Sequence, residues 1–284
     1  MININFSNCT LCNRCVKACP SEIFTGQGNL PPQIVNEELC IGCGHCVAAC
    51  NSNAIIHKQF PPEKVHPIEF SKLPSPEQML ALIRKRRSNR AFSNKSIPEE
   101  QLLQVLEAAY RAPTASNKQY VEFTLVTDPE KLKVISKFTL DIFSSKIKMV
   151  DNTIIRPIFN KLFPGMTKYF ATFKKWQQVF DEQGKDLGVL RGATAVLFIH
   201  TPKSYHFINE DCQLAYQNAS LMAESLGISQ FYTGFVLQAI KQKSKKLEKL
   251  LGINGKIMAG LALGIPLFQY QNYIDRKEIR LNRL

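Results

Sequence analysis

Eight of the nine cysteines in this chain fall into two runs of identical spacing. Cys9, Cys12, Cys15 and Cys19 form C-x2-C-x2-C-x3-C, closed by Pro20. Cys40, Cys43, Cys46 and Cys50 repeat it residue for residue, with Asn51 where the first run has proline. Thiolates so arranged are the ligand set for two [4Fe–4S] clusters. Three sulfurs of each run wrap one face of a cubane, and the fourth points toward the neighbouring cluster. The expected sets are therefore Cys9, Cys12, Cys15 and Cys50 for one cluster, and Cys40, Cys43, Cys46 and Cys19 for the other. Such centres move single electrons. Structural zinc takes four ligands per site and has no use for a third evenly spaced cysteine in each run. A disulfide framework needs an oxidising compartment, and residues 1–7 are short, uncharged and unlike a secretory signal.

Four scattered segments of the remaining chain suit one anionic, planar cofactor. Residues 86–92 offer the guanidinium groups of Arg86, Arg87 and Arg90 and the hydroxyl of Ser88 at close spacing. Arginine recognises phosphate bidentately and stabilises negative charge on a ring carbonyl. Residues 112–119, with Pro113, Thr114 and Asn117, read as a polar loop whose small residues let backbone approach a ligand. Thr233 and Gly234 follow an expected strand, where the glycine can bring a backbone N–H against a ring edge. Arg276 and Lys277 lie in an irregular tail. Each piece alone has an ordinary reading: a basic helix end complements the helix dipole, and Asn and Thr form turns. Cys212 reads as a buried small residue, with no histidine placed to activate it. No catalytic acid–base pair stands out, which fits chemistry carried by a cofactor.

The elements that must hold these groups follow from periodicity and caps. Residues 1–60 form a small cysteine-rich domain, and residues 61–76, with Pro61, Pro62, Pro67, Pro74 and Pro76, a stiff extended connector. Ser75, Pro76 and Gln78 are the N-cap, first position and capping-box partner of a helix. A second helix covers about 98–110, with Leu102, Leu106, Ala109 and Tyr110 on one side. Strands are expected at 121–127, 193–200, 228–232 and 256–263, and helices at 210–226, stopped by Gly227, and at 237–251. The aromatic-rich segment 144–185 reads as two helices hinged at Pro164–Gly165, serving either as packing or as a mobile cover. Residues 77–284 are thus expected to be α+β.

Charge and hydropathy narrow the class. The formal net charge is +13. Residues 1–60 balance Arg14, Lys17 and Lys58 against Glu22, Glu37 and Glu38, so the excess sits in the remainder. The charges are spread over several helices, with no helix-turn-helix or zinc-finger pattern, so an anionic cofactor, substrate or donor is expected rather than nucleic acid. The longest apolar run, 257–268, is too short for a membrane span and contains Gly and Pro. The expectation is a soluble, cytoplasmic protein.

Two resemblances gather these motifs. Residues 1 to about 57 resemble a bacterial two-cluster ferredoxin. Residues 77–284 resemble the FMN-dependent nitroreductase family through R-R-S-x-R-x-F at 86–92, A-P-T-A-S-N-x-Q at 112–119, and Gly264-Ile265-Pro266 followed by Arg276 and Lys277. The whole chain is similar to ferredoxin–nitroreductase fusions of anaerobic prokaryotes. That resemblance implies an antiparallel-core sheet flanked by helices, and a homodimer with FMN at the subunit interface. Arg86, Ser88, Arg276 and Lys277 would meet the phosphate, with Arg87 and Arg90 along the ribityl chain and pyrimidine edge. Pro113, Thr114 and Asn117 would contact the cofactor, and Thr233 and Gly234 would lie near the redox centre of the ring. Tyr120-Val121 replaces the family's usual Pro-Trp. The implied function is an iron–sulfur flavoprotein oxidoreductase. Electrons from a ferredoxin or reductase would pass through two [4Fe–4S] clusters to FMN and on to a nitro group, quinone or activated alkene. The alternative is a relay delivering electrons to a partner protein.

Overall fold

A computed structural model describes residues 2–28 and 30–284. The chain divides into two units: Met1–Pro74 with Thr114–Gln119, and Ser75–Pro113 with Tyr120–Leu284.

The repeated cysteine spacing of the first unit is matched by repeated elements. Strand β1 (Ile2–Ile4), helix α1 (Arg14–Ala18) and strand β2 (Phe24–Thr25) come from the first half. Strand β3 (Gln33–Ile34), helix α2 (His45–Ala48) and strand β4 (Ile55–His57) come from the second. Pairing crosses the halves, β1 with β4 and β2 with β3, both antiparallel. The core between them is Ile2, Ile4, Ile23, Phe24 and Ile55, packed directly against Cys15 and Cys46. So few apolar side chains make a marginal core by themselves. The connector expected at 61–76 is not extended throughout. Pro62–Lys64 and Phe70–Lys72 form single 3-10 turns, and the unit boundary falls at Pro74.

The second unit is built on a four-stranded antiparallel sheet. Its strands are β5 (Glu122–Val126), β6 (Ala195–Thr201), β7 (Ser229–Tyr232) and β8 (Lys256–Gly264), in the order β5-β6-β8-β7. Alternation along the central strands sends Ala195, Leu197 and Ile199 to one face and Val196 and Phe198 to the other. Both faces are covered. Helices α4 (Glu99–Tyr110) and α8 (Ile208–Ser225) supply Leu102, Val105, Ala215 and Ala219 to the first face. The second face takes Phe138 from α5 (Pro129–Val150), Phe173 and Phe180 from α7 (Phe170–Gln183), and Val236 and Ile240 from α9 (Gly234–Gln242). The α+β class with a helix-flanked antiparallel sheet is as expected. Among the described residues no helix is long and apolar enough to cross a membrane.

Local signals are realised where they are strong. Helix α3 (Pro76–Lys85) opens on a full capping box between Ser75 and Gln78. Helix α8 ends where the N–H groups of Gly227 and Ile228 donate back to Glu224 and Ala223, with Gly227 at φ +74°. This left-handed turn is the closure that glycine favours.

Two expectations need correction. Tyr110 turns outward, 60% exposed, and Val105 takes its place on the buried face of α4. The single helix expected at 237–251 is two, α9 and α10 (Lys246–Leu251), separated at Lys245 with φ +63°. A continuous helix would stack Lys241, Lys245 and Lys249 at i,i+4 spacing, where like charges repel. The two helices expected in the 144–185 segment are α6 (Ile155–Leu162) and α7, bent apart at Gly165 as expected, with the end of α5 before them and a 3-10 turn between them.

Candidate functional site

In the first unit Cys15 and Cys46 belong to the shared core, and Cys9, Cys19 and Cys50 pack against it. Burial lifts the Cys15 thiol above its ordinary pKa, and the thiols that act on it electrostatically are Cys50 and Cys12. Burial likewise pushes Cys46 up to about 11, with Cys43, Cys19 and Cys40 as its charged neighbours. Each neighbourhood thus draws one cysteine from the other run. Among the described residues no three His, Cys, Asp or Glu side chains lie close enough to chelate a single metal ion. A [4Fe–4S] cluster makes a different demand, since each of its four thiolates binds its own iron.

Backbone donors are aimed at several of these sulfurs. Ile23 N donates to Cys19 Sγ at 3.4 Å and Ala54 N to Cys50 Sγ at 3.1 Å, the same bond in each half. Gly42 N donates to Cys40 Sγ at 3.4 Å. The Arg14 N–H, then the Thr10 side chain, hold the Cys12 thiol below its ordinary pKa. Burial opposes the same effect at Cys50, but bonds from the Ser52 side chain and from backbone N–H groups lower its pKa overall. Such donors favour the charged thiolate, the form that binds iron.

The loop Thr114–Gln119 belongs to this unit. Ser116, Asn117 and Gln119 have φ near +50°. Thr114 Oγ1 accepts from Gln119 N at 3.0 Å, which closes the turn. Asn117 Nδ2 donates to Gly42 O at 2.7 Å and Ile41 O at 3.3 Å, between Cys40 and Cys43. The amide expected to meet a flavin is therefore committed to the second cysteine run.

In the second unit the arginine segment is pinned on both sides. Ser88 bridges Gln230 of β7, and Gln230 Nε2 donates to Arg87 O at 3.3 Å. Asn89, buried, donates to Phe268 O at 3.1 Å, and Phe92 stacks on Phe231 with centroids 5.9 Å apart. Fixing the backbone this way sends alternate side chains to different places. Arg87 lies over the Tyr270 ring at 5.7 Å and lines a small surface pocket with Lys85, Asn89 and Glu224. Its Nε is buried with no hydrogen-bond partner. Arg90 lies over the Phe231 ring at 5.4 Å. Arg86 and Arg90 both act on Tyr216, whose hydroxyl is raised by burial and partly offset by those two charges.

Two residues joining this group carried no sequence signal that singled them out. Arg191 is pushed below its ordinary pKa by burial and then by the charge of Arg90, with Asp186 acting in the opposite direction. Tyr216 donates to Gln230 Oε1 at 3.4 Å and meets the Tyr232 ring edge-on at 4.8 Å. Just after β7, Thr233 is 1% exposed and its Oγ1 is buried without a hydrogen-bond partner. Gly234 opens α9, and the nearest atom a Cβ there would meet is Tyr232 Cδ1 at 3.8 Å, so its backbone stays approachable. Phe173 and Trp176 of α7 pack on Phe235 at 5.2 and 6.0 Å, walling the start of α9. Pro113 is exposed, and Arg276 and Lys277 lie in the exposed tail without a hydrogen bond or ion pair among the described residues. Cys212 is fully buried, and burial lifts its thiol to about 12, which keeps it inert.

Comparison with known proteins places both units. Residues 1–51 match the family model of a 4Fe-4S dicluster domain, and residues 83–265 that of the nitroreductase family. A protein of Archaeoglobus fulgidus, provisionally named NADH dehydrogenase/NAD(P)H nitroreductase, is 27% identical over 197 residues, which cover 67% of this chain and 86% of the relative. Among solved structures, a Bacteroides fragilis nitroreductase with bound FMN has 20% identity and TM-score 0.53, covering 72% of this chain and 99% of its own. A Desulfitobacterium hafniense nitroreductase with bound FMN also has 20% identity, with TM-score 0.52 and coverage of 72% and 97%. The two likenesses show the fold. With a family match spanning most of its length, the chain belongs to the nitroreductase family and carries a 4Fe-4S dicluster domain at its N-terminal end.

Proposed function

We propose that this protein is an iron–sulfur flavoprotein oxidoreductase that takes up low-potential electrons at two [4Fe–4S] clusters and uses FMN to reduce a small organic acceptor. The observation that carries the reading is the crossed gathering of the thiols, Cys12 and Cys50 around Cys15, and Cys43, Cys19 and Cys40 around Cys46. It supports Cys9, Cys12, Cys15 and Cys50 as one ligand set, and Cys40, Cys43, Cys46 and Cys19 as the other. The aimed N–H groups suit the negative charge such clusters bring.

The second unit offers what an anionic flavin needs. Arg86, Arg90 and Arg191 concentrate positive charge that Asp186 offsets only in part, and a phosphate or an electron-rich ring would relieve the rest. Arg87 Nε and Thr233 Oγ1 are buried polar atoms lacking partners, and Gly234 leaves backbone N–H within a ligand's reach. These residues, with Ser88, Pro113, Arg276 and Lys277, are the proposed FMN contacts of this unit, completed by a second subunit. Bound FMN supplies the conversion between single electrons received and electron pairs delivered. The protein's own part is positioning and electrostatics: the arginines hold negative charge, and the Phe173–Trp176–Phe235 wall keeps water from the start of α9. Electron donors of the ferredoxin or reductase class, and acceptors of the nitro, quinone or activated-alkene class, fit this chemistry.

The test is anaerobic reconstitution followed by analysis. About eight irons, eight acid-labile sulfides and one FMN per chain are expected from the ligand sets. The loaded protein should then pass electrons from reduced ferredoxin to members of an acceptor panel. Zinc in place of iron, or no flavin retained, overturns the reading.

A further inference from the structure

The two halves of the first unit share one fold but differ in what covers them. Leu11 and Asn13 of the first run occupy the same left-handed conformation as Gly42 and Gly44 of the second, with φ of +57°, +54°, +62° and +74°. Loop shape alone therefore does not demand glycine. What leaves little room for a side chain in the second run is the segment after β4. A Cβ on Gly42 would lie 2.4 Å from Gln59 Oε1, and one on Gly44 would lie 3.2 Å from Phe60 Cζ. The residues following β4 thus press down on the second cysteine run. The position equivalent to His57 in the first half is Gly26, which has no side chain to play such a part.

His57 is the centre of this cover. Its side chain is 5% exposed, and its ring packs on Phe60 with centroids 4.9 Å apart. Gln59 N donates to His57 Nδ1 at 3.1 Å, so in the neutral ring the proton belongs on Nε2. That nitrogen lies 3.6 Å from Cys40 Sγ. The same sulfur accepts from Gly42 N. That N–H belongs to the Ile41–Gly42 peptide, whose carbonyl accepts from Asn117 Nδ2 at 3.3 Å. Asn117 and Cys40 therefore hold opposite ends of one peptide group, each bond polarising the other. Among the described residues, none donates to Cys9 Sγ, the equivalent sulfur of the first run.

We propose that His57 and Asn117 are positioning residues that set the reduction potential of one cluster only, the one assigned to Cys40, Cys43, Cys46 and Cys19. His57 acts by a direct N–H···S bond, and Asn117 acts through the Ile41–Gly42 peptide. Reduction adds one electron, from an external one-electron donor, and makes the cluster more negative. A donor hydrogen bond favours the reduced state more than the oxidised one and raises the potential. The inference rests on the two-cluster reading above, and it adds a specific control on one of the two centres.

The experiment is a redox titration of the anaerobically reconstituted full chain, followed by EPR, with iron and sulfide content measured on each sample. Cys40→Ser marks which signal belongs to the second cluster. His57→Phe keeps an aromatic ring on Phe60 and removes the donor; His57→Gln restores an N–H. In His57→Phe, the marked cluster should be reduced about tenfold less at a given poise, a fall of about 59 mV for one electron. The other cluster should stay in place, and His57→Gln should recover part of the shift. Asn117→Ala should move the same signal in the same direction by less. Two intact clusters with unmoved potentials, or with both moved equally, overturn the inference while leaving the two-cluster reading standing. Loss of both clusters from the wild-type protein sinks the reading itself. Should His57→Phe fail to assemble, Asn117→Ala decides: a shift confined to the marked cluster supports the inference, and no shift refutes it.

Discussion

Gly264 closes β8 beneath the arginine segment, and replacing it with alanine should loosen that segment by a calculable amount. A Cβ at this position would lie 2.6 Å from Phe92 Cδ1, 2.7 Å from Cγ and 3.1 Å from Cβ. Carbon atoms in good contact sit about 3.5–4.0 Å apart, so the new methyl needs roughly 1 Å of relief. Phe92 cannot easily give it. The ring is 8% exposed and stacked on Phe231. Its backbone is held by Ser93 N to Ile265 O at 2.8 Å and Leu267 N to Ala91 O at 2.9 Å. Overpacking a filled core costs about 1–3 kcal/mol. Replacing a strand glycine returns about 0.5–1 kcal/mol, and Gly264 has no positive φ to forbid that gain. The net is a destabilisation of about 1.5 kcal/mol, a fall of about 3–6 °C in Tm for a unit of this size. Trp176, the single tryptophan, lies in the second unit, so its fluorescence reports that transition alone. The measurement belongs on flavin-free protein, because a ligand bound to the folded form would mask the change. Phe92→Leu should relieve the clash, so the double variant should lose less stability than the two single losses added together. A Gly264→Ala protein as stable as wild type, or additive behaviour in the double, would refute the reasoning.

Other perturbations test the two sites separately. Gly260→Ala places a Cβ 2.4 Å from Thr233 Oγ1, so it should displace the start of α9 and weaken FMN retention about tenfold in equilibrium dialysis, the effect of about 1.4 kcal/mol. Undiminished retention would remove Thr233 and Gly234 from the proposed contacts. Stripping the clusters by oxidation and chelation should unfold the first unit, because its core packs on Cys15 and Cys46. Limited proteolysis should then cut within residues 1–60 while Trp176 fluorescence stays native; a resistant apo-domain would contradict this. Burial lowers the pKa of His200 below its ordinary 6.5. In that range the unfolded chain binds more protons, so stability is complete above about 6.5 and falls as pH drops below it. His200→Gln should flatten this decline in Trp176-monitored unfolding; an equal slope in both proteins would assign it elsewhere.

The parts of this protein legible from its sequence are those whose cause lies within a few residues. Cysteine spacing announces iron–sulfur clusters because a cubane constrains short loops directly, and the match to a 4Fe-4S dicluster domain agrees. The capping box at Ser75–Gln78 and the glycine closure at Gly227 likewise need only neighbouring hydrogen bonds. Even the α+β class follows from apolar alternation on the strands and helical spacing between them. The separation of α9 from α10 was less legible, since lysine has a good helix propensity and only the repeat of like charges opposes continuation. Tertiary structure alone decided the rest. Arg191 is buried within the field of Arg90, a residue far from it in the chain, and nothing local distinguishes it from a solvated arginine. Asn117 reads as a turn-former or a ligand contact until the fold lays its amide on Gly42. His57 is one histidine among five until β4 pairs with β1, its ring packs on Phe60, and Gln59 fixes which nitrogen carries its proton. Spacing can announce chemistry that is bound locally. The direction of a side chain, and the charge it faces, are set by backbone brought from elsewhere in the chain, and only folding supplies that.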